Sequence, residues 1–168
     1  MTAQFGERLH YEGREMVMCE QPLATYFARI DSYPEFDANC TALWRGYVGT
    51  WEILSGRIYL IGLVATMKDG SPANLAALFP AYPERVFAHW YSGEIRVPRG
   101  KLLNYVHQGY ASTYEEDLLI AVEKGVVVGT NVRHNGTSDS PDAPEGYGVG
   151  GMTIFPPDSS GSEKGAVK

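Results

Sequence analysis

Apolar and polar positions change period several times along the chain, and each change sets an expected element. Leu23, Tyr26, Phe27 and Ile30 recur at i, i+3, i+4 and i+7 behind Pro22, which suits a first helical turn. This spacing predicts a short amphipathic helix over 22–30, ending before Pro34. Residues 42–54 and 57–66 are rich in β-branched and aromatic side chains and are separated by Ser55-Gly56. They predict a long hairpin with a two-residue loop. Ser71-Pro72 reads as the cap of a second short helix that stops before Pro80. Residues 86–97 read as a strand limited by Pro98. The spacing of Leu102, Tyr105 and Val106 predicts a helix over 101–108, with Gly109 as its stop. Residues 118–123 and 126–132 form a second expected hairpin across Lys124-Gly125. Strands that follow one another through short links point to an α+β class. The expected architecture is an antiparallel sheet of about six strands, including two β-hairpins, with two or three short helices packed on it.

The pattern fails near Asn135. From 135 to 168, Gly, Ser and Pro make up 16 of 34 residues, and the apolar residues stand apart except for Met152-Thr153-Ile154-Phe155. Such a segment has little apolar surface to offset its ordering entropy. The expectation is a single α+β domain over 1–134 and a disordered, flexible acidic tail over 135–168, with 152–155 as a candidate docking strand. The formal net charge is −6, and half of it falls on 135–168. Lys and Arg are not clustered, which argues against nucleic acid as a partner. No apolar run approaches the length of a membrane span, and the first residues carry no apolar signal segment. Cys19 and Cys40, the only two cysteines, have no metal-type spacing. These features predict a cytoplasmic protein with two reduced thiols, in which the sequons at Asn39 and Asn135 are chance matches.

A two-residue loop at Ser55-Gly56 fixes a register. It sets Ile53 opposite Ile58, Trp51 opposite Leu60, Gly49 opposite Gly62, Tyr47 opposite Val64 and Arg45 opposite Thr66, all on one face. Two facing glycines would leave a notch walled by Tyr47 and Trp51, with the Arg45 guanidinium at its end. A core helix laid across that notch is the plainer reading, and a ligand cleft the functional one. The other face, with Trp44, Val48, Leu54, Tyr59 and Leu63, is too apolar to be simply solvated.

Chemistry-bearing residues are scattered. His89-Trp90-Tyr91 lies in the expected strand at 86–97, with Glu94 and Arg96 following, and Gly93 is a candidate bulge. His89 or His107, working with Glu94 or Glu116, could serve as a general acid–base pair. A histidine among aromatic rings is more often structural. The run Glu115-Glu116-Asp117 reads as a solvated strand start. Gly109-Tyr110-Ala111-Ser112-Thr113-Tyr114 is a link rich in small and hydroxyl residues, of the kind that offers polar contacts to a ligand. No metal-ligand spacing, nucleophile elbow or nucleotide fingerprint occurs, so neither a metal nor a cofactor is implied.

The expected function is a cytosolic binding or interaction protein. Arg45, Tyr47, Trp51, Tyr91, Tyr110, Ser112 and Thr113 are the candidate ligand-binding residues. The partner is a small planar or anionic, nucleotide-like ligand or another protein, with self-association possible. Two alternatives stay open. One is a small hydrolase or transferase built on a His–carboxylate pair, and the other an inhibitor or immunity-type protein that blocks a basic target.

Overall fold

The computed structural model describes residues 2–31, 34–38 and 40–148; the segment 152–155 lies outside them. The chain opens with a hairpin that the hydrophobic pattern does not announce, β1 (Glu7–Tyr11) and β2 (Arg14–Met18). Its charged residues blur the alternation, yet its loop, Glu12-Gly13, holds both residues at positive φ. That is the backbone twist by which a two-residue loop returns a strand on its neighbour. Helix α1 (Pro22–Phe27) starts on its proline as expected but ends three residues early, and its last turn tightens as Arg29 N–H donates to Tyr26 O (3.0 Å).

The expected strand at 42–54 begins only at Tyr47. Thr41–Leu43 forms a 3₁₀ turn, and Gly46, at φ +76°, reverses the chain into β3 (Tyr47–Leu54). β4 (Arg57–Thr66) and its Ser55-Gly56 loop stand where the pattern placed them. The register holds from Leu54 opposite Arg57 to Trp51 opposite Leu60. It then slips at a bulge, so that Thr50 faces Gly62 and Gly49 faces Leu63, with Ile61 the extra residue. The two glycines therefore do not oppose each other. No notch exists at Gly49, where a Cβ would lie 2.9 Å from Glu7 Oε2 and 2.8 Å from Trp51 Nε1.

Past β4, Pro72–Ala73 pairs with it as β5, and the capping residue of α2 (Leu75–Leu78) is Asn74 rather than Ser71, its Oδ1 accepting from Ala77 N–H (2.9 Å). The expected strand at 86–97 is two strands, β6 (Val86–Phe87) and β7 (Gly93–Asn104), because the chain turns at Ala88 to seat Trp90 beneath α1. There the Trp90 indole donates to Pro22 O (2.9 Å), and its ring packs against Tyr26 and Phe79. The expected helix at 101–108 is absent. β7 runs on to Asn104 through two irregularities, and Leu102 faces Tyr114. At the first irregularity Glu115 Oε2 accepts the Lys101 N–H (2.9 Å), replacing a ladder bond. β8 (Thr113–Glu123) and β9 (Val126–His134) complete the second expected hairpin.

Among the described residues the sheet has nine strands, in the order β2-β1-β3-β4-β9-β8-β7, with β5 and β6 also on β4. It is mixed rather than antiparallel, because β1 runs parallel to β3. The sheet curls until Cys19, just after β2, donates its N–H to Arg96 O of β7 (2.8 Å). Leu9, Met18, Leu23, Trp51, Ile58, Leu60, Ile95 and Ile120 are fully buried in one continuous core.

Packing continues beyond residue 134. Leu102 N–H donates to Pro144 O (2.8 Å), and Gly146 N–H to Gly100 O (2.9 Å). Tyr147 is 2% exposed between Tyr110 and Tyr114, its hydroxyl shared between Gln4 O (2.6 Å) and Gly109 O (3.0 Å). The compositional change at Asn135 is thus not where packing ends: one large ring anchors an otherwise small-residue segment as far as Gly148. No helix among the described residues is long and apolar enough to cross a membrane.

Candidate binding clefts around Arg45

The 3₁₀ turn and Gly46 aim Arg45 inward. A Cβ on Gly46 would lie 2.6 Å from Phe36 Cβ, so only glycine lets the Phe36 segment close against this reversal. Arg45 then meets Glu7, at the start of β1, with Nε donating to Oε1 (3.1 Å) and Nη1 to Phe5 O (2.9 Å). Gly49 N–H donates to the second Glu7 oxygen. Arg45 and Glu7 thus form an ion pair in which the carboxylate is sealed from solvent and the arginine side chain keeps 8% exposure. Burial raises the Glu7 carboxyl to about 7, although Arg45 and the Gly49 N–H both favour its charged form. For Arg45, burial works against the charge, and Glu7, Tyr110 and Tyr47 together more than restore it.

Arg45 is also the wall shared by two clefts. One, of about 330 Å³, is lined by Thr2, Gln4, Gln21, Trp44, Arg45 and Gly109. The second, of about 350 Å³, is lined by Ala24, Phe27, Ala28, Phe36, Arg45 and Tyr47. In the second, the Phe27 and Phe36 rings lie 5.9 Å apart and both pack on Tyr47, over which the guanidinium sits at 5.4 Å. The Tyr47 hydroxyl is buried and has no hydrogen-bond partner among the described residues. Burial, chiefly, and the Glu7 carboxylate push its phenol well above the usual range. A buried hydroxyl left unpaired costs stability, which marks a place that an acceptor can fill. These volumes suit a small molecule with one ring.

Tyr47 and Arg45 are thus brought together, although Arg45 already has a partner. Tyr110 stands behind the first cleft, accepting from Gln21 Nε2 (2.7 Å) and donating to Phe5 O (3.2 Å), and burial raises its phenol to about 12. The other ligand-binding candidates fall elsewhere. Trp51 is wholly inside the core, and Tyr91 is buried beside Gly93. Ser112 is buried and ties its own loop, its hydroxyl accepting from Val106 N–H (2.9 Å). Thr113 opens β8 opposite Asn104. Phe27, Phe36, Trp44 and Glu7 were not legible as site residues. Phe27 read as a core position of its helix, Trp44 as a strand residue, and Glu7 belongs to a hairpin hidden by its charges.

The acid–base candidates do not converge. His89 and Glu94 are exposed, and His107 Nδ1 lies 2.7 Å from the Tyr105 hydroxyl. Glu116 pairs with Arg99 (3.0 Å) and with His134 (3.2 Å), a histidine outside the candidate set. No hydrogen bond or ion pair joins these four among the described residues. Asp117, expected to be solvated, is instead the most enclosed member of its acidic run, 1% exposed. Arg96 (2.8 Å), Arg133 (2.6 Å) and Asn135 (3.0 Å) all bind it. No group of three or more His, Cys, Asp or Glu among the described residues could hold a metal ion. A scan against protein-family models and searches of curated proteins and of solved structures find no match, so these clefts carry their own argument.

Proposed function

We propose that this chain is a binding protein for a small planar ligand carrying a carboxylate or phosphate, taken up in the cleft of Phe27, Phe36, Tyr47 and Arg45. The unpaired Tyr47 hydroxyl carries this reading: it is a buried donor without an acceptor on a ring that lines the aromatic-walled cleft, and a ligand reaches it by displacing the groups that cover it. The ligand's ring packs on the Phe27 and Phe36 rings, which already touch each other, the ligand's acceptor takes the Tyr47 O–H, and the guanidinium supplies positive potential. Glu7 already shares the Arg45 charge, so an anionic ligand raises the proton affinity of Glu7 further and binds with proton uptake near neutral pH. We place the protein in the cytosol, where its free thiols Cys19 and Cys40 stay reduced.

Titration with benzoate and with phenyl phosphate, followed by calorimetry in two buffers of different ionisation heat, tests the proposal. Tyr47→Phe should weaken binding by about 10-fold while the unliganded variant is as stable as the parent or more so, since an unpaired buried hydroxyl is removed. Equal affinity in parent and variant, or no heat from either probe at millimolar concentration, would sink the reading.

A further inference from the structure

At the far end of β3 from Arg45 lies a cleft wider than either Arg45 cleft, of about 540 Å³. Its origin is in the register. β1 and β3 run parallel only from Arg8 opposite Thr50 to His10 opposite Glu52. Beyond that pair each strand runs on to its own two-residue loop, Glu12-Gly13 or Ser55-Gly56, and all four loop residues hold positive φ, from 51° to 73°. The twist of each loop turns its strand back on its own hairpin partner, β2 or β4, and not across to the other tip. The two tips therefore part, and Val127 of β9 lines the gap with them.

The lining has two characters. Ile53, Leu54, Val127 and the Tyr11 ring make it mostly apolar, and Leu54 is 46% exposed. Its charged residues are Glu12 and Glu52, and neither Lys nor Arg is among the residues that line it. The arginines of the neighbouring strands are engaged outside it. Arg57 lies over the Phe87 ring (5.6 Å), and Arg85 lies over the Tyr59 ring (4.2 Å), from which it reaches Glu52 only at 3.8 Å. Arg14, opposite Tyr11 on β2, lines a neighbouring cleft that shares Tyr11 and Glu12. His10 is drawn to Glu15 (3.8 Å). Burial first, and then the Glu12 carboxylate, hold the Tyr11 phenol above its ordinary range. Two carboxylates beside an apolar floor select a cation with an apolar body. A bare metal ion would gain nothing from Ile53, Leu54 and Val127, because it needs oxygen ligands on several sides.

We propose that this cleft binds a small organic amine, whose ammonium meets the Glu12 and Glu52 carboxylates and whose chain or ring lies on Ile53, Leu54 and Val127. Its size and its mostly apolar lining with a few polar groups are those of small-molecule sites. Its charge is the reverse of that at Arg45, so the two ends of β3 select opposite ligands.

Amide NMR on the full chain, titrated with phenethylamine to about 10 mM, tests the proposal in the affinity range of so small a ligand. Saturable shifts should appear at Tyr11, Gly13, Ile53, Gly56 and Val127. Phenethyl alcohol, the same shape without the charge, should bind at least about 5-fold more weakly, and phenylpropanoate should not bind. Glu12→Gln and Glu52→Gln should each weaken the amine about 3-fold and together about 10-fold, leaving the alcohol unchanged. Neither side chain is buried, so both variants keep the fold. Leu54→Ser should weaken amine and alcohol alike. Equal affinity for amine and alcohol overturns the proposal. So does the absence of saturable shifts at these amides, or an amine affinity indifferent to the double substitution. Benzoate and phenyl phosphate should leave the five amides unmoved, so this site and the Arg45 cleft stand or fall separately.

Discussion

At Glu7 a carboxyl group sealed in the core couples folding to pH. In the unfolded chain it ionises near its ordinary value of 4.5, and in the folded chain near 7, because burial penalises the charge more than Arg45 and Gly49 compensate it. Between those values the folded state keeps a proton that the unfolded state releases. Stability therefore falls as pH rises through this window, by about 3 kcal/mol in all, and levels off once both states are ionised. Urea midpoints measured from pH 4.5 to 8 should show this decline, and Glu7→Gln should flatten it. Parallel profiles for the two proteins would refute the assignment. Asp117 shows why enclosure alone does not decide the sign. Burial also pushes its carboxyl up, but Asn135, Arg133 and Arg96 outweigh that and leave it below its ordinary value. Its contribution is present above that ordinary value and is lost as pH falls through the folded one. Neither behaviour is legible in the sequence, where both residues are acids among charged neighbours.

Among the elements, the hairpin loops at Ser55-Gly56 and Lys124-Gly125 were readable because a two-residue X-Gly loop between apolar strands demands a backbone that glycine adopts freely, whereas the same signal at Glu12-Gly13 lay hidden between charged residues. Their surroundings were not. Gly56 (φ +73°) has open space around it, whereas a Cβ on Gly125 (φ +80°) would lie 2.7 Å from both Ala88 O and Phe87 Cε2. Gly56→Ala should cost about 1–2 kcal/mol, the left-handed penalty alone. Gly125→Ala should cost at least about 1–3 kcal/mol more, from the added steric conflict. Chemical denaturation of the two variants checks the order, and equal losses would contradict it. Other elements misled for a physical reason. Leu102, Tyr105 and Val106 have helical spacing by coincidence of place: Leu102 sits between two irregularities of β7, where the period of two is broken, and Tyr105 and Val106 follow in the link after Asn104. The bulge at Thr50/Trp51 likewise dissolved a register that was right for its first four pairs.

Over the whole molecule, closure depends on contacts far apart in sequence. Tyr147 joins the chain's late segment to Gln4 and Gly109. Tyr147→Ala should cost about 3–5 kcal/mol, as for other large buried rings, and Tyr147→Phe about 1 kcal/mol for the hydroxyl. Thermal or urea unfolding distinguishes the two. A negligible loss in Tyr147→Ala would show that residues 135–148 are dispensable to the fold.

Local periodicity and turn chemistry sufficed to establish a sheet-rich α+β chain, the two hairpins at Ser55-Gly56 and Lys124-Gly125, and the start of α1 at Pro22. These depend on residues a few positions apart, whose conformational preferences act before any distant partner arrives. Only the tertiary structure decided that β1 lies parallel to β3, that Arg45 is paired with Glu7 rather than open at the end of a notch, and that the chain stays packed to Gly148. Each of these is a contact between segments 33 or more residues apart, selected by which buried charge must be neutralised and which large ring must be covered, and no local pattern encodes that choice.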